Sequence, residues 1–150
     1  MARIEEAPGP PPDGERAIER VELALIGGRL PDPYRRFLLT HNGGTPDPAG
    51  FVYADESGPY TDSEVARFMG IGDANYDLEE WTEIYRGRMP EELLPIAVDP
   101  GGNVICLAIA GAKRGAVYFW DHEAESDPPT WSNVHRLADS FDAFLANLQA

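Results

Sequence analysis

From Glu15 onward, apolar residues recur at intervals of three and four. Ile18, Val21 and Leu25 alternate with the charged Arg16, Glu19, Arg20 and Glu22. This spacing predicts an amphipathic helix, ended by Gly27-Gly28. Leu30-Pro31-Asp32-Pro33 then opens a second helix, with proline suited to a first turn. Tyr34, Phe37, Leu38 and His41 share its apolar face, and Asn42-Gly43-Gly44 stops it. A third helix is predicted after Asp77, an N-cap with Glu80 three residues on. Its apolar face is Leu78, Trp81, Ile84 and Tyr85, with Trp81 expected in the core, and Met89-Pro90 closes it. The last helix follows Ser140, where Phe141, Phe144, Leu145 and Leu148 form an amphipathic stripe.

Strand signals lie between these helices. Phe51-Val52-Tyr53 is a short candidate, and Asp55 to Asp62 reads as a loop rich in glycine, proline and acids. Val65 to Ile71 is apolar enough for a strand. The clearest pattern is Leu93 to Val98, the turn Asp99-Pro100-Gly101-Gly102, and Asn103 to Ile109, which together predict a β-hairpin. Ala116 to Trp120 follows a second turn, and Trp131 to Leu137 is a final candidate. Adjacent strands joined by tight turns imply an antiparallel sheet with clustered helices covering one face of it. The expected fold is α+β, a single domain with a central, mostly antiparallel sheet flanked by helices. Residues 1–14, with Ala7 to Gly14 rich in proline and glycine, read as a flexible leader; residues 15–150 read as the folded domain.

Charge narrows the possible partners. The 150 residues carry 26 acidic and 12 basic side chains, a net charge of −14. Nucleic acid and anionic membrane are poor partners for such a surface. A cationic protein is a good one, and solubility alone is the competing account of the same charge. The segment from Asp55 to Glu92 holds eleven acids against three arginines, with Tyr60, Tyr76, Trp81 and Tyr85 among them. Aromatic anchors ringed by charge suit a steered interface. The candidate partner-binding residues are Asp55, Glu56, Asp62, Glu64, Asp73, Tyr76, Glu79, Glu80 and Glu83. No apolar run is long enough to span a bilayer, and the charged N-terminus is no signal peptide, so a cytoplasmic location is expected.

Candidate chemistry is sparse. The single cysteine, Cys106, lies in the apolar run Val104 to Ile109 and reads as a buried hydrophobe. His41 reads as helix-terminal and His135 as a solvent-facing strand residue. Asp121-His122-Glu123 alternate across a strand and do not converge readily on a metal. No Gly-x-Ser-x-Gly, Walker or dinucleotide loop is present. No enzyme activity and no cofactor are therefore expected. A metal-dependent hydrolase built on Asp99, Asp121 and His122 is a rival of a different class.

Four segments together resemble the SUKH superfamily, the Smi/Knr-like group. They are Leu30 to Leu38 followed by Asn42-Gly43-Gly44; Leu94 to Asp99 with Gly102 to Leu107; Gly115 to His122; and Leu137 to Leu145. Their order and spacing are more specific than any one of them. The resemblance implies an α+β fold without catalytic residues. It further implies a bacterial immunity protein that binds a cognate toxin, often a nuclease, and blocks it. A general protein-interaction or regulatory module of the Smi/Knr kind, without a toxin, is the alternative. In either case the shared motifs read as structural, with Gly43, Gly44, Gly101 and Gly102 shaping turns and Phe37, Trp120, Phe141 and Phe144 filling the core.

Overall fold

A computed structural model describes residues 2–150. The chain runs β1 (Arg3–Glu5), α1 (Glu15–Val21), α2 (Asp32–Thr40), β2 (Thr45–Asp47), β3 (Gly50–Asp55), β4 (Gly58–Glu64) and β5 (Arg67–Phe68). It continues through α3 (Leu78–Tyr85), β6 (Leu93–Val98), β7 (Val104–Ala108), β8 (Val117–Trp120), β9 (Val134–Ala138) and α4 (Phe141–Ala146). A π-helical segment, Glu22–Ile26, extends α1 to Gly27. The main sheet is antiparallel, in the order β5-β6-β7-β8-β9. The architecture is the expected α+β.

Every residue of β6, β7 and β8 is buried. Alternation sends Leu94, Ile96, Ile105, Leu107, Val117 and Phe119 to one face, against Ile18, Val21, Leu38, Phe141 and Phe144 of the helices. Leu93, Val104, Cys106, Ala108, Tyr118 and Trp120 point to the other. Helices were expected on one face only. The second face is also closed, by Met89, Tyr85 and Trp131. Tyr85 stands edge-on to Trp120 at 5.5 Å. Arg88 lies over both rings and pairs through two hydrogen bonds with Glu125. α3 follows the edge of β6 and contributes Leu78 to the first core and Tyr85 to the second.

The expected helices form, and their caps act as their residue types predict. Asp77 accepts from the Glu80 N–H and Ser140 from the Ala143 N–H. Trp81 departs from expectation. It is half-buried, stacked between Tyr76 and Tyr85, and its indole N–H donates to the Asn75 carbonyl. His135 departs in the opposite sense: it is half-buried, with its ring 5.5 Å from that of Tyr53.

The strands differ more. The expected loop after Asp55 contains β4, paired antiparallel with β3. Its sequence lacks apolar alternation because its inward positions are polar: Thr61 donates to Asp55 and Ser63 to Asp99. The strand expected from Val65 to Ile71 shrinks to Arg67–Phe68, because at Gly70 the chain turns to bond Tyr76 and Leu78. Arg3–Glu5 pair with Thr45–Asp47, joined by the Arg3–Asp47 ion pair, and the Gly9 N–H donates to the His41 carbonyl.

Asn42-Gly43-Gly44 does more than stop α2. A Cβ on Gly44 would lie 2.8 Å from the Glu5 carbonyl oxygen, and one on Gly70 would lie 2.1 Å from that of Asn42. Glycine therefore allows three chain segments to meet here. The buried Asn42 side chain fixes the junction, accepting from the Ile71 N–H at 2.7 Å and donating to the Ile71 carbonyl at 2.9 Å.

α1 and α2 are joined by a buried ion pair. The Glu22 carboxylate accepts from Arg35 Nε at 3.0 Å, from Arg35 Nη2 at 3.1 Å and from the Leu30 N–H at 2.7 Å. Arg35 also binds Glu15. Burial alone would raise the Glu22 pKa, but the hydrogen bonds from Arg35 and Leu30 outweigh it and hold the carboxyl below its ordinary value. This stabilisation is therefore present above the unfolded carboxyl pKa and is lost as pH falls through the lower folded value. Arg35→Leu leaves Glu22 buried without its partner and should cost about 3–5 kcal/mol in urea denaturation at neutral pH. The deficit should narrow in acid, where Glu22 is neutralised.

Candidate protein-binding surface

The β3–β4 hairpin is held to the body by its inner face. Phe51 is buried against Phe119 and Phe144, with ring centroids 5.8 Å away in each case. Tyr53 stacks on Phe119 at 4.3 Å. Burial, with Asp55, Asp121, Asp99 and Asp62 nearby, raises the pKa of its phenol. Pairing of Val52 with Asp62 and of Gly50 with Glu64 places the alternate residues on the outer face. Val52 is 40% exposed there and Tyr60 81% exposed. Asp62 and Glu64 are exposed beside them, and among the described residues neither forms an ion pair.

The nine candidate acids and aromatics fall into distinct environments. Asp55 shapes the hairpin turn, accepting from the Ser57 hydroxyl at 2.6 Å, the Ser57 N–H at 2.9 Å and the Thr61 hydroxyl at 2.8 Å. The Ser57 and Thr61 hydroxyls hold its pKa down. Asp73 caps a turn through the Asn75 and Tyr76 N–H groups and pairs with Arg67 at 2.9 Å. Burial opposes its ionisation, but these bonds prevail and lower its pKa. Tyr76 is half-buried between the Trp81 ring and Arg67. Glu83 is exposed and bound by Arg86, which lowers its pKa, a contact of little value in water. Glu56, Glu79 and Glu80 are exposed and, among the described residues, form no ion pair.

These residues are carried by separate elements. The hairpin packs on β9 and α3 on β6, with β7 and β8 between them in the sheet. Strand alternation across a paired hairpin isolates Val52, Tyr60, Asp62 and Glu64 as one outward group. That grouping was hidden in the sequence because β4 did not read as a strand.

The residues of the rival hydrolase serve the turns. The buried Asp99 carboxylate accepts from the Gly101 N–H at 2.9 Å, the Asn103 N–H at 2.7 Å, the Asn103 amide at 3.0 Å and Ser63 at 2.9 Å. Asp121 caps the short turn of helix His122–Ala124, and His122 Nε2 lies 2.9 Å from the Gly101 carbonyl oxygen. Among the described residues no three histidine, cysteine or carboxylate side chains are grouped to hold a metal. Cys106 is fully buried, and burial raises its thiol pKa. Among the described residues, no helix is long and apolar enough to cross a membrane.

Tyr53 couples the hairpin to the sheet. Tyr53→Ala should cost about 2–3 kcal/mol, less than truncating a fully buried ring. Amide hydrogen exchange should then quicken in β3 and β4 before it does in β7. Uniform exchange across both sheets would show that Tyr53 is not the coupling residue.

Comparison with known proteins agrees with this architecture. The family model described as SMI1 / KNR4 family (SUKH-1) matches residues 14–147. The chain is also 31% identical over 137 residues to the SPbeta prophage-derived uncharacterized protein YokK of Bacillus subtilis (strain 168), covering 82% of this chain and 68% of that protein. With the motifs in order along nearly its whole length, the chain belongs to the SMI1/KNR4 (SUKH-1) family.

Proposed function

We propose that this protein is a non-enzymatic immunity protein that binds a cognate toxin and neutralises it by occlusion. The observation that carries this reading is the outer hairpin face, where Val52 and Tyr60 stand beside the unpaired Asp62 and Glu64. An exposed apolar and aromatic pair supplies contact area, while the carboxylates select a basic surface. Glu56 at the hairpin turn belongs to this contact, and Glu79 and Glu80 on α3 extend the attractive field. Asp55, Asp73 and Tyr76 support it by holding the turn and the loop before α3, and Glu83 adds its charge to the field on α3.

A nuclease must be cationic to hold its substrate. A binder with net charge −14 would be drawn to such a cleft over the range of the Debye length and could then cover it. Family membership and the prophage-derived relative support this setting. Engagement inside the producing cell would place the protein in the cytoplasm.

Co-expression with the product of the neighbouring gene tests the reading. Restored growth and co-purification are expected. Asp62→Lys with Glu64→Lys should slow association about tenfold at low salt and flatten its salt dependence. Reversal of Glu79, Glu80 and Glu83 to lysine should have a smaller effect. If no neighbouring product is toxic or bound, the immunity reading falls and a general interaction module replaces it. If binding persists with unchanged rate and salt slope in the hairpin variant, the contact lies elsewhere.

A further inference from the structure

The hydrogen-bond pattern of β4 leaves backbone groups facing solvent. The Val65 N–H donates to the Ala49 carbonyl at 2.9 Å, so this opposed pair is directly hydrogen-bonded. Its neighbour Gly50 directs both backbone groups away from β4, exchanging two 2.8 Å bonds with Gln149. Antiparallel pairs alternate between bonded and non-bonded. Phe51 opposite Ser63 is therefore a bonded pair, whereas Gly50 opposite Glu64 and Val52 opposite Asp62 are non-bonded. The N–H and C=O groups of Asp62 and Glu64 consequently point away from β3. The hairpin is a two-stranded sheet, so among the described residues β4 has no strand on that side.

An open strand edge is a template for another strand. We infer that β4 accepts an added β-strand from a protein partner, one bearing lysine or arginine at alternate positions opposite Asp62 and Glu64. This rests on the reading of the protein as a binder of basic partners and specifies how the partner is held. The backbone groups supply affinity in any strand addition, and the side chains supply selectivity. Here both come from the same two residues: their backbone groups face the incoming strand and their exposed carboxylates flank it. A second copy of this chain is a poor occupant, because pairing β4 with itself sets carboxylates against carboxylates. The edge is thus closed to self-association and open to a strand of opposite charge.

The test uses the full chain and a blocked peptide of alternating lysine and valine. Binding is measured by calorimetry and amide exchange by NMR. Strand addition should slow exchange of the Asp62 and Glu64 amides about tenfold or more. Two variants separate backbone from charge. Asp62→Asn removes the carboxylate and keeps the N–H. Asp62→Pro removes both, but sacrifices no bond to β3, since this N–H faces outward. The proline variant should bind about tenfold more weakly than the asparagine variant. Equal affinities, or binding without slowed amides, would reduce the contact to charge attraction and overturn strand addition; absence of binding would overturn it as well. If the proline variant does not fold, amide exchange in the unaltered protein decides. Failure here leaves rescue by the neighbouring gene product untouched, so the two readings fall separately.

Discussion

The burial of β6, β7 and β8 on both faces is the constraint on which the other elements depend. Strands with no solvent face need two covers. One is assembled from α1, α2 and α4, whose apolar stripes meet Leu94, Ile105, Leu107, Val117 and Phe119. The other is small, with Met89, Tyr85 and Trp131 closing over Cys106, Tyr118 and Trp120. Arg88 completes that second cover by lying over Tyr85 and Trp120 while Glu125 neutralises its charge. Both covers leave the β3–β4 hairpin attached on its inner side by Phe51, Tyr53 and the Ser63–Asp99 hydrogen bond, with its outer side exposed.

Electrostatics follow from how the charges are placed. Most arginines are already engaged by carboxylates, including the buried Arg35 and the half-buried Arg67 and Arg88. Several acids have equally local duties: Asp55, Asp73, Asp77, Asp99 and Asp121 accept backbone N–H bonds at turns and caps. A carboxylate that organises a turn still contributes its charge to the field outside the protein. Local structural use and long-range attraction are therefore compatible. The unpaired acids on the outer hairpin face are distinguished by accessibility more than by charge.

Much of the helical layer and the central hairpin was legible from sequence. Apolar residues at helical spacing and Asp77 or Ser140 at the cap are local signals, and local signals need no knowledge of distant contacts. β4 was illegible for a specific reason. Its inner positions, Thr61 and Ser63, meet carboxylates rather than hydrocarbon, so the usual alternation is missing. The same holds for β1, whose partner strand lies about forty residues away in sequence and whose approach depends on Gly44 having no side chain. His135 and Trp81 were misplaced because burial there is set by Tyr53 and by Tyr76 and Tyr85, which reach them only after folding.

By itself, then, the sequence determined the α+β class, the family motifs, the helix starts and the negative charge. Each follows from short-range periodicity, from residue type or from simple counting. Tertiary structure alone decided which acids hold turns and which face water, and that β4 pairs on one side only. Those outcomes depend on which segments meet across the fold. A hydrogen bond from Ser63 to Asp99, or a Tyr53 ring laid on Phe119, cannot be read from either partner's neighbours along the chain.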